Sequence, residues 1–241
     1  MKRSTLLGIF LRSLTIQASF NFWRMQHLGF AFAMLPAIRK RGGDPIRMAD
    51  SLALHLQMFN THPYMAAPVI GAVARLEEEG RSPEAADLKK ALMGPYAAIG
   101  DPFFWGALRF FAAAGAVIAA WMGSPAAPLA FLAIYSPFHF WIRGKGFVEG
   151  YHRGKGGIGF IRGLDLPAAT VRLRFLSLIL IGLLAAAAVQ MASGHMNGLT
   201  GIPARALALV LLVLYALGIH KGISPLGLLY GTTLLCMVIS F

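Results

Sequence analysis

The sequence predicts an all-α integral membrane protein: an N-terminal region of amphipathic and broken, re-entrant helices, followed by about four to five transmembrane helices. Three observations predict it. Hydrophobic residues make up 57% of the 241 and charged residues only 13%, against about 45–50% and about 25% in soluble domains. The second half carries apolar stretches at 103–122, 126–142, 175–192, 206–219 and 222–241, and about 20 helical residues cross the hydrocarbon core. An open sheet is excluded, because lipid leaves its edges without hydrogen-bond partners. Residues 1–101 are read as the N-terminal helical region and 102–241 as the transmembrane region.

The chain begins basic and then apolar, but Arg12 interrupts the run early and no small-residue cleavage site follows. No cleavable signal peptide is expected. Gln17, Asn21 and Arg24 recur at i, i+4, i+7, one face of a helix. Asp44-Pro45 reads as a helix start, with Asp as N-cap and Pro in the first turn. Met48, Leu52, Leu56 and Phe59 then form an apolar stripe. Ser82-Pro83-Glu84 and Asp101-Pro102 read as two further starts, the second leading into 103–122.

Between these starts lie two short apolar pieces, 63–74 and 91–99, each interrupted by Pro or Gly and too short to span. Pro63-Tyr64 with Ala66 is echoed by Pro95-Tyr96 with Ala98. Paired broken segments expose backbone groups that can hold a polar solute inside a membrane. Coincidence between two Ala-rich, Pro-containing stretches is the competing reading. The charged stretch 75–90 reads as a solvated turn between the two pieces.

In the second half, 103–122 is apolar except for Arg109, and 126–142 holds few polar residues, His139 among them. The second and fourth stretches are short and need flanking residues or tilt. Residues 143–174 carry Arg143, Lys145, Arg153, Lys155, Arg162, Arg172 and Arg174 against Glu149 and Asp165. Such a block is expected to be a cytoplasmic loop. The turns at 123–125 and 193–205 are then outside, Lys221 inside and the C-terminus outside. The net charge of +12 reads as membrane topology and not as a nucleic-acid surface, because the bases lie between apolar runs.

Enzyme patterns are missing: there is no Walker loop, Gly-rich dinucleotide loop, HExxH or GxSxG elbow. The histidines at 27, 55, 62, 139, 152, 195 and 220 include no i, i+4 pair, so no metal site is expected. Cys236 is the only cysteine and forms no intrachain disulfide. Three polar groupings stand in apolar surroundings: Gln17 to Gln26 with Asn21 between them, Asn60-Thr61-His62-Pro63, and Gly94-Pro95 through Gly100-Asp101-Pro102. A sugar presents hydroxyls that both donate and accept, so its site needs amides, a carboxylate and an imidazole at close quarters. Plainer roles fit the same residues: interhelical hydrogen bonds for the amides, helix termination for Asn60 and Thr61, an N-cap for Asp101, an interior histidine for His62.

Several of these residues carry a resemblance. Arg12-Ser13, Ile16-Gln17-Ala18-Ser19, Asn21, Arg24-Met25-Gln26, Leu28-Gly29-Phe30 and Met34-Leu35-Pro36-Ala37 resemble the opening of the IID subunit of the mannose/fructose/sorbose-type phosphotransferase permeases. So do Phe59-Asn60-Thr61-His62-Pro63-Tyr64 and Leu92-Met93-Gly94-Pro95 followed by Gly100-Asp101-Pro102 and Phe104-Trp105. Phe20 and Phe22-Trp23 depart from the pattern around Asn21. The match covers about residues 10–165.

The resemblance implies a multi-pass subunit of the bacterial cytoplasmic membrane that pairs with a IIC subunit, in a higher oligomer of IIC–IID pairs, to bind and move a mannose-type hexose. It implies no cofactor of its own, since phosphate from phosphoenolpyruvate passes through the IIA and IIB phosphocarriers, and no catalytic residue. Asn60, His62, Gln17, Asn21, Gln26 and Asp101 are the expected residues at or next to the sugar path. A membrane scaffold or regulator that keeps the shape without transporting is the alternative.

Overall fold

The computed structural model describes residues 1–40, 45–194 and 201–240. Among these, regular structure is helical apart from two isolated bridges, Asn21 with Met25 and Met25 with Phe59. The helices are α1 (Arg3–Ser13), α2 (His27–Lys40), α3 (Pro45–His55), α4 (Ala66–Glu78), α5 (Ser82–Gly100), a π-helical turn (Asp101–Leu108), α6 (Arg109–Trp121) and α7 (Ala127–Arg153). A 3₁₀ turn (Gly154–Gly157), α8 (Ile158–Gly163), α9 (Leu166–Gly194), α10 (Gly201–His220) and α11 (Pro225–Ser240) follow. Two compact units result, Met1–Leu180 and Ile181–Phe241.

In the first unit α4 is buried along almost its whole length and packs against α1, α2, α5 and α7. A helix that is apolar all round belongs in a core. Small residues set its approach to α7. A Cβ on Gly71 would stand 2.2 Å from the Phe147 carbonyl oxygen, and one on Gly150 2.3 Å from that of Pro68. Only glycine lets two helix backbones meet this closely. In the second unit the Tyr215 hydroxyl on α10 donates to the Leu228 carbonyl of α11 at 2.9 Å, across a turn in which Gly222 takes a φ of +84°.

Several expectations are corrected. The piece at 91–99 is not a broken arm, because α5 runs through the π turn into α6 as one helical stretch, Ser82–Trp121. Pro102 stands in the first turn of the π stretch, where the chain stays helical although proline brings no N–H to the ladder. Asp101 accordingly opens no new helix: its backbone is helical and continuous with α5, and its side chain makes no cap bond. Helix α5 does start at Ser82, with Pro83 and Glu84 in its first turn, but Arg81 holds the N-cap position and the Ser82 hydroxyl donates to the Glu77 carboxylate at 2.9 Å. Helix α3 starts at Pro45 as expected, while its expected cap Asp44 lies outside the described residues. The apolar stripe leaves the helix after His55, so Phe59 reaches the core from a loop.

The charged stretch 75–90 is only partly solvated. Arg75, Glu79, Arg81, Glu84 and Lys155 form an exposed ion-pair chain. Glu77 and Lys89 are buried instead, Glu77 against His55 Nε2 at 3.0 Å. The basic stretch 143–174 is mostly helix, and Arg143 is an interior residue of α7. Two helical stretches, Ser82–Trp121 and Ala127–Ala188, are long and apolar enough to cross a membrane, and Leu209–His220 is a shorter apolar helix.

Candidate functional site

The site is built on the loop between α3 and α4. Two clamps hold it. From one side, Gln26 Nε2 donates to the Thr61 carbonyl at 2.7 Å and Gln26 Oε1 accepts the Thr61 N–H at 3.1 Å. The Gln26 N–H also donates to the Phe59 carbonyl at 2.8 Å. From the other, Lys89 Nζ on α5 donates to the carbonyls of His55 and Gln57 at 2.9 and 2.8 Å. Its ammonium lies 4.8 Å from the ring centre of Phe30, which packs on Phe59, so a buried cation is met by dipoles and ring faces. The loop thus turns Asn60 outward, exposed, and His62 inward, fully buried.

His62 sits in an aromatic shell. Its ring stacks on Phe104 at 4.8 Å and 15° and meets Trp105 and Tyr64 edge-on. Nδ1 accepts the Tyr64 N–H at 3.3 Å, while Nε2 has no partner among the described residues. Burial first, then the nearby charge of Arg143 and the ring of His139, push the His62 pKa down to about 3. The ring is therefore neutral at physiological pH, and because Nδ1 accepts, its proton sits on Nε2, which is left as a free donor. Gly100 makes this approach possible, since a Cβ there would stand 2.4 Å from the His62 Cβ.

Helix α7 closes the cluster. Tyr135, His139 and Arg143 recur at i, i+4, i+8 along one face. The Tyr135 hydroxyl donates to the Tyr64 hydroxyl at 3.3 Å. His139 stacks on the Tyr64 ring at 4.4 Å, and the Arg143 guanidinium lies 4.6 Å from the same ring's centre. Besides His62 Nε2, the buried atoms Asp101 Oδ1, His139 Nδ1 and Arg143 Nε lack partners among the described residues. Buried polar atoms are almost always paired, so these unpaired ones mark the cluster as the candidate site.

The expected residues fall into three kinds. His62 lies in the shell, and Asp101 follows the glycine packed on it. Asn60 and Gln26 belong to the loop and its clamp. Gln17 and Asn21 do not share a helical face, because residues 14–26 are turns and bridges. Gln17 is exposed, and Asn21 Oδ1 accepts the Trp23 and Arg24 N–H groups at 3.1 and 3.0 Å, an Asx turn that replaces the helix. Tyr64, Tyr135, His139 and Arg143 were not picked out as site residues in the sequence, although the last three form a polar stripe within an apolar helix that was there to find.

Comparison with known proteins gives a consistent family. A family model described as "PTS system mannose/fructose/sorbose family IID component" matches residues 1–241. The chain is 31% identical to the "Fructose permease IID component" of Bacillus subtilis (strain 168), over 96% of this chain and 92% of that one. It is 41% identical to the "PTS system mannose-specific EIID component" of Escherichia coli (strain K12), over 64% of this chain and 57% of that one. Its structure is similar, with a TM-score of 0.60 and 30% identity over 99% of this chain and 96% of the other, to a chain in a cryo-EM structure of "Mannose Transporter ManYZ and Microcin E492 (MceA) complex". The full-length match, together with relatives that share the fold, shows that this chain belongs to the IID components of the mannose/fructose/sorbose phosphotransferase systems.

Proposed function

We propose that this chain is the IID half of a hexose permease in the bacterial cytoplasmic membrane, and that with a IIC subunit it binds a mannose-type hexose and passes it inward. IID components are permease subunits of multi-subunit phosphotransferase systems, and this chain supplies membrane-embedded structure without a catalytic residue. In this reading the chain crosses the membrane about four to five times. It associates as a higher oligomer of IIC–IID pairs and holds no cofactor. Phosphate from phosphoenolpyruvate reaches the sugar through IIA and IIB.

The observation that carries the reading is the His62 shell: an aromatic-lined group of unpaired buried polar atoms beside a loop clamped in place. Sugars are held by such a combination, hydroxyls on polar atoms and C–H faces on rings. His62 Nε2 and the outward amide of Asn60 bond hydroxyls, and Asp101 holds its carboxylate beside the path. Gln26 positions the loop, with Asn21 and Gln17 on the neighbouring segment. The relatives are named for fructose, mannose and sorbose, all hexoses.

The test is co-expression with a IIC subunit from the same source. Asn60→Ala is expected to abolish hexose uptake while the pair still co-purifies. Wild-type uptake by a well-expressed Asn60→Ala pair overturns the assignment. A wild-type pair that assembles yet neither binds nor moves any hexose favours the scaffold role instead.

A further inference from the structure

We propose that Arg143 is the docking point for a carboxylate carried by the companion IIC subunit, so that the charge balance of this site is completed only in the assembled pair. The proposal rests on the reading above for the identity of the companion.

Arg143 lies in the interior of α7 with 8% of its surface exposed. Its Nε has no partner, and no carboxylate lies within ion-pair distance among the described residues. What surrounds it is neutral or basic: the Tyr64 ring beneath it, Tyr135 and His139 on its own helix, and His62 from the α3–α4 loop. A ring face offsets part of a buried charge but brings no counter-charge. The acid on α7 and the buried acid of α4 have other partners. Glu149 pairs with Arg153 at 2.8 Å and Glu77 with His55 at 3.0 Å. Asp101 forms no ion pair with Arg143.

A buried guanidinium without an opposite charge is strongly unfavourable. A hexose cannot cure this, being neutral and departing in every cycle. Lipid phosphate would meet exposed bases such as Lys145 before a side chain only 8% exposed. The remaining source is an acidic side chain on another membrane-embedded chain, and arginine matches carboxylate in charge and in planar, two-pronged geometry.

The experiment measures co-purification of the detergent-solubilised pair without sugar, and hexose binding separately. Arg143→Gln is expected to lower the IIC recovered on the order of a hundredfold or more, and Arg143→Lys far less. Arg143→Asp is combined with each Asp→Arg or Glu→Arg in the membrane segments of IIC, and one combination is expected to restore the pair. A folding defect in this chain cannot be reversed by a change in another, which separates the two explanations. Full recovery of IIC with Arg143→Gln, rescue by no reversal, or wild-type chains that do not co-purify overturns the proposal. A pair that depends on Arg143 yet binds no hexose sinks the sugar assignment and leaves this one standing.

Discussion

Gln26 grips Thr61 with both ends of one amide, its NH₂ on the carbonyl and its oxygen on the N–H, 35 residues along the chain. Both partners are buried, with Gln26 only 1% exposed, so neither half of the pair is replaced by water when the other is lost. Gln26→Ala is expected to cost about 2–4 kcal/mol by leaving a buried N–H and C=O unmatched. Thermal unfolding of the purified protein measures it, and an unchanged midpoint would show that the clamp is dispensable.

Lys89 holds the other side of the same loop. Lys89→Met keeps the length of the side chain but drops both carbonyl bonds. We expect faster protease cleavage or hydrogen exchange at 55–60, because those carbonyls lose a charged donor in a dry setting. Exchange no faster than in the parent chain would mean that Phe59 packing alone secures the loop.

Two glycines of α5 make a matched comparison. Gly100→Ala drives a methyl into His62 and is expected to displace the ring and weaken hexose binding at least tenfold. Gly94→Ala meets nothing within 4 Å and removes backbone freedom from a helix, so it is expected to be neutral or mildly stabilising. Equal effects of the two on binding would remove His62 from the site.

His62 gives a pH signature. Its native pKa is about 3 and its unfolded value near 6.5. The unfolded chain therefore takes up the proton first as pH falls. Stability from this group is full above about pH 6.5 and is lost on the way down to pH 3, by up to about 1.4 kcal/mol per pH unit. The difference between wild type and His62→Gln in unfolding midpoint is expected to shrink across that window. A difference that stays level from pH 7 to pH 4 contradicts the buried, neutral ring.

Much of the architecture could be read from the chain, and the gaps have physical causes. The apolar stretches and the starts at Pro45 and Ser82 follow from hydropathy and from proline's fit to a first turn. The supposed helical face of Gln17, Asn21 and Arg24 failed because an Asn side chain can take over the backbone N–H groups that a helix would use. The supposed break before Asp101 failed because the helix runs on through Pro95 and Pro102, the second at the start of a π turn. Arg143 was counted with the basic loop around it, since charge along a sequence does not reveal which base faces the Tyr64 ring. His62 was legible as a residue type in the right company, while the shell around it came from three separate stretches that only folding joins.

The glycine seam between α4 and α7 has a mechanical consequence. Where Gly71 faces the Phe147 carbonyl and Gly150 that of Pro68, main chain rests on main chain, and no layer of flexible side chains intervenes to let one helix slip along the other. The pair is thereby coupled like a single rigid beam: a push delivered to either rod is delivered to both, and whatever bending the molecule undergoes is shifted to joints outside that seam.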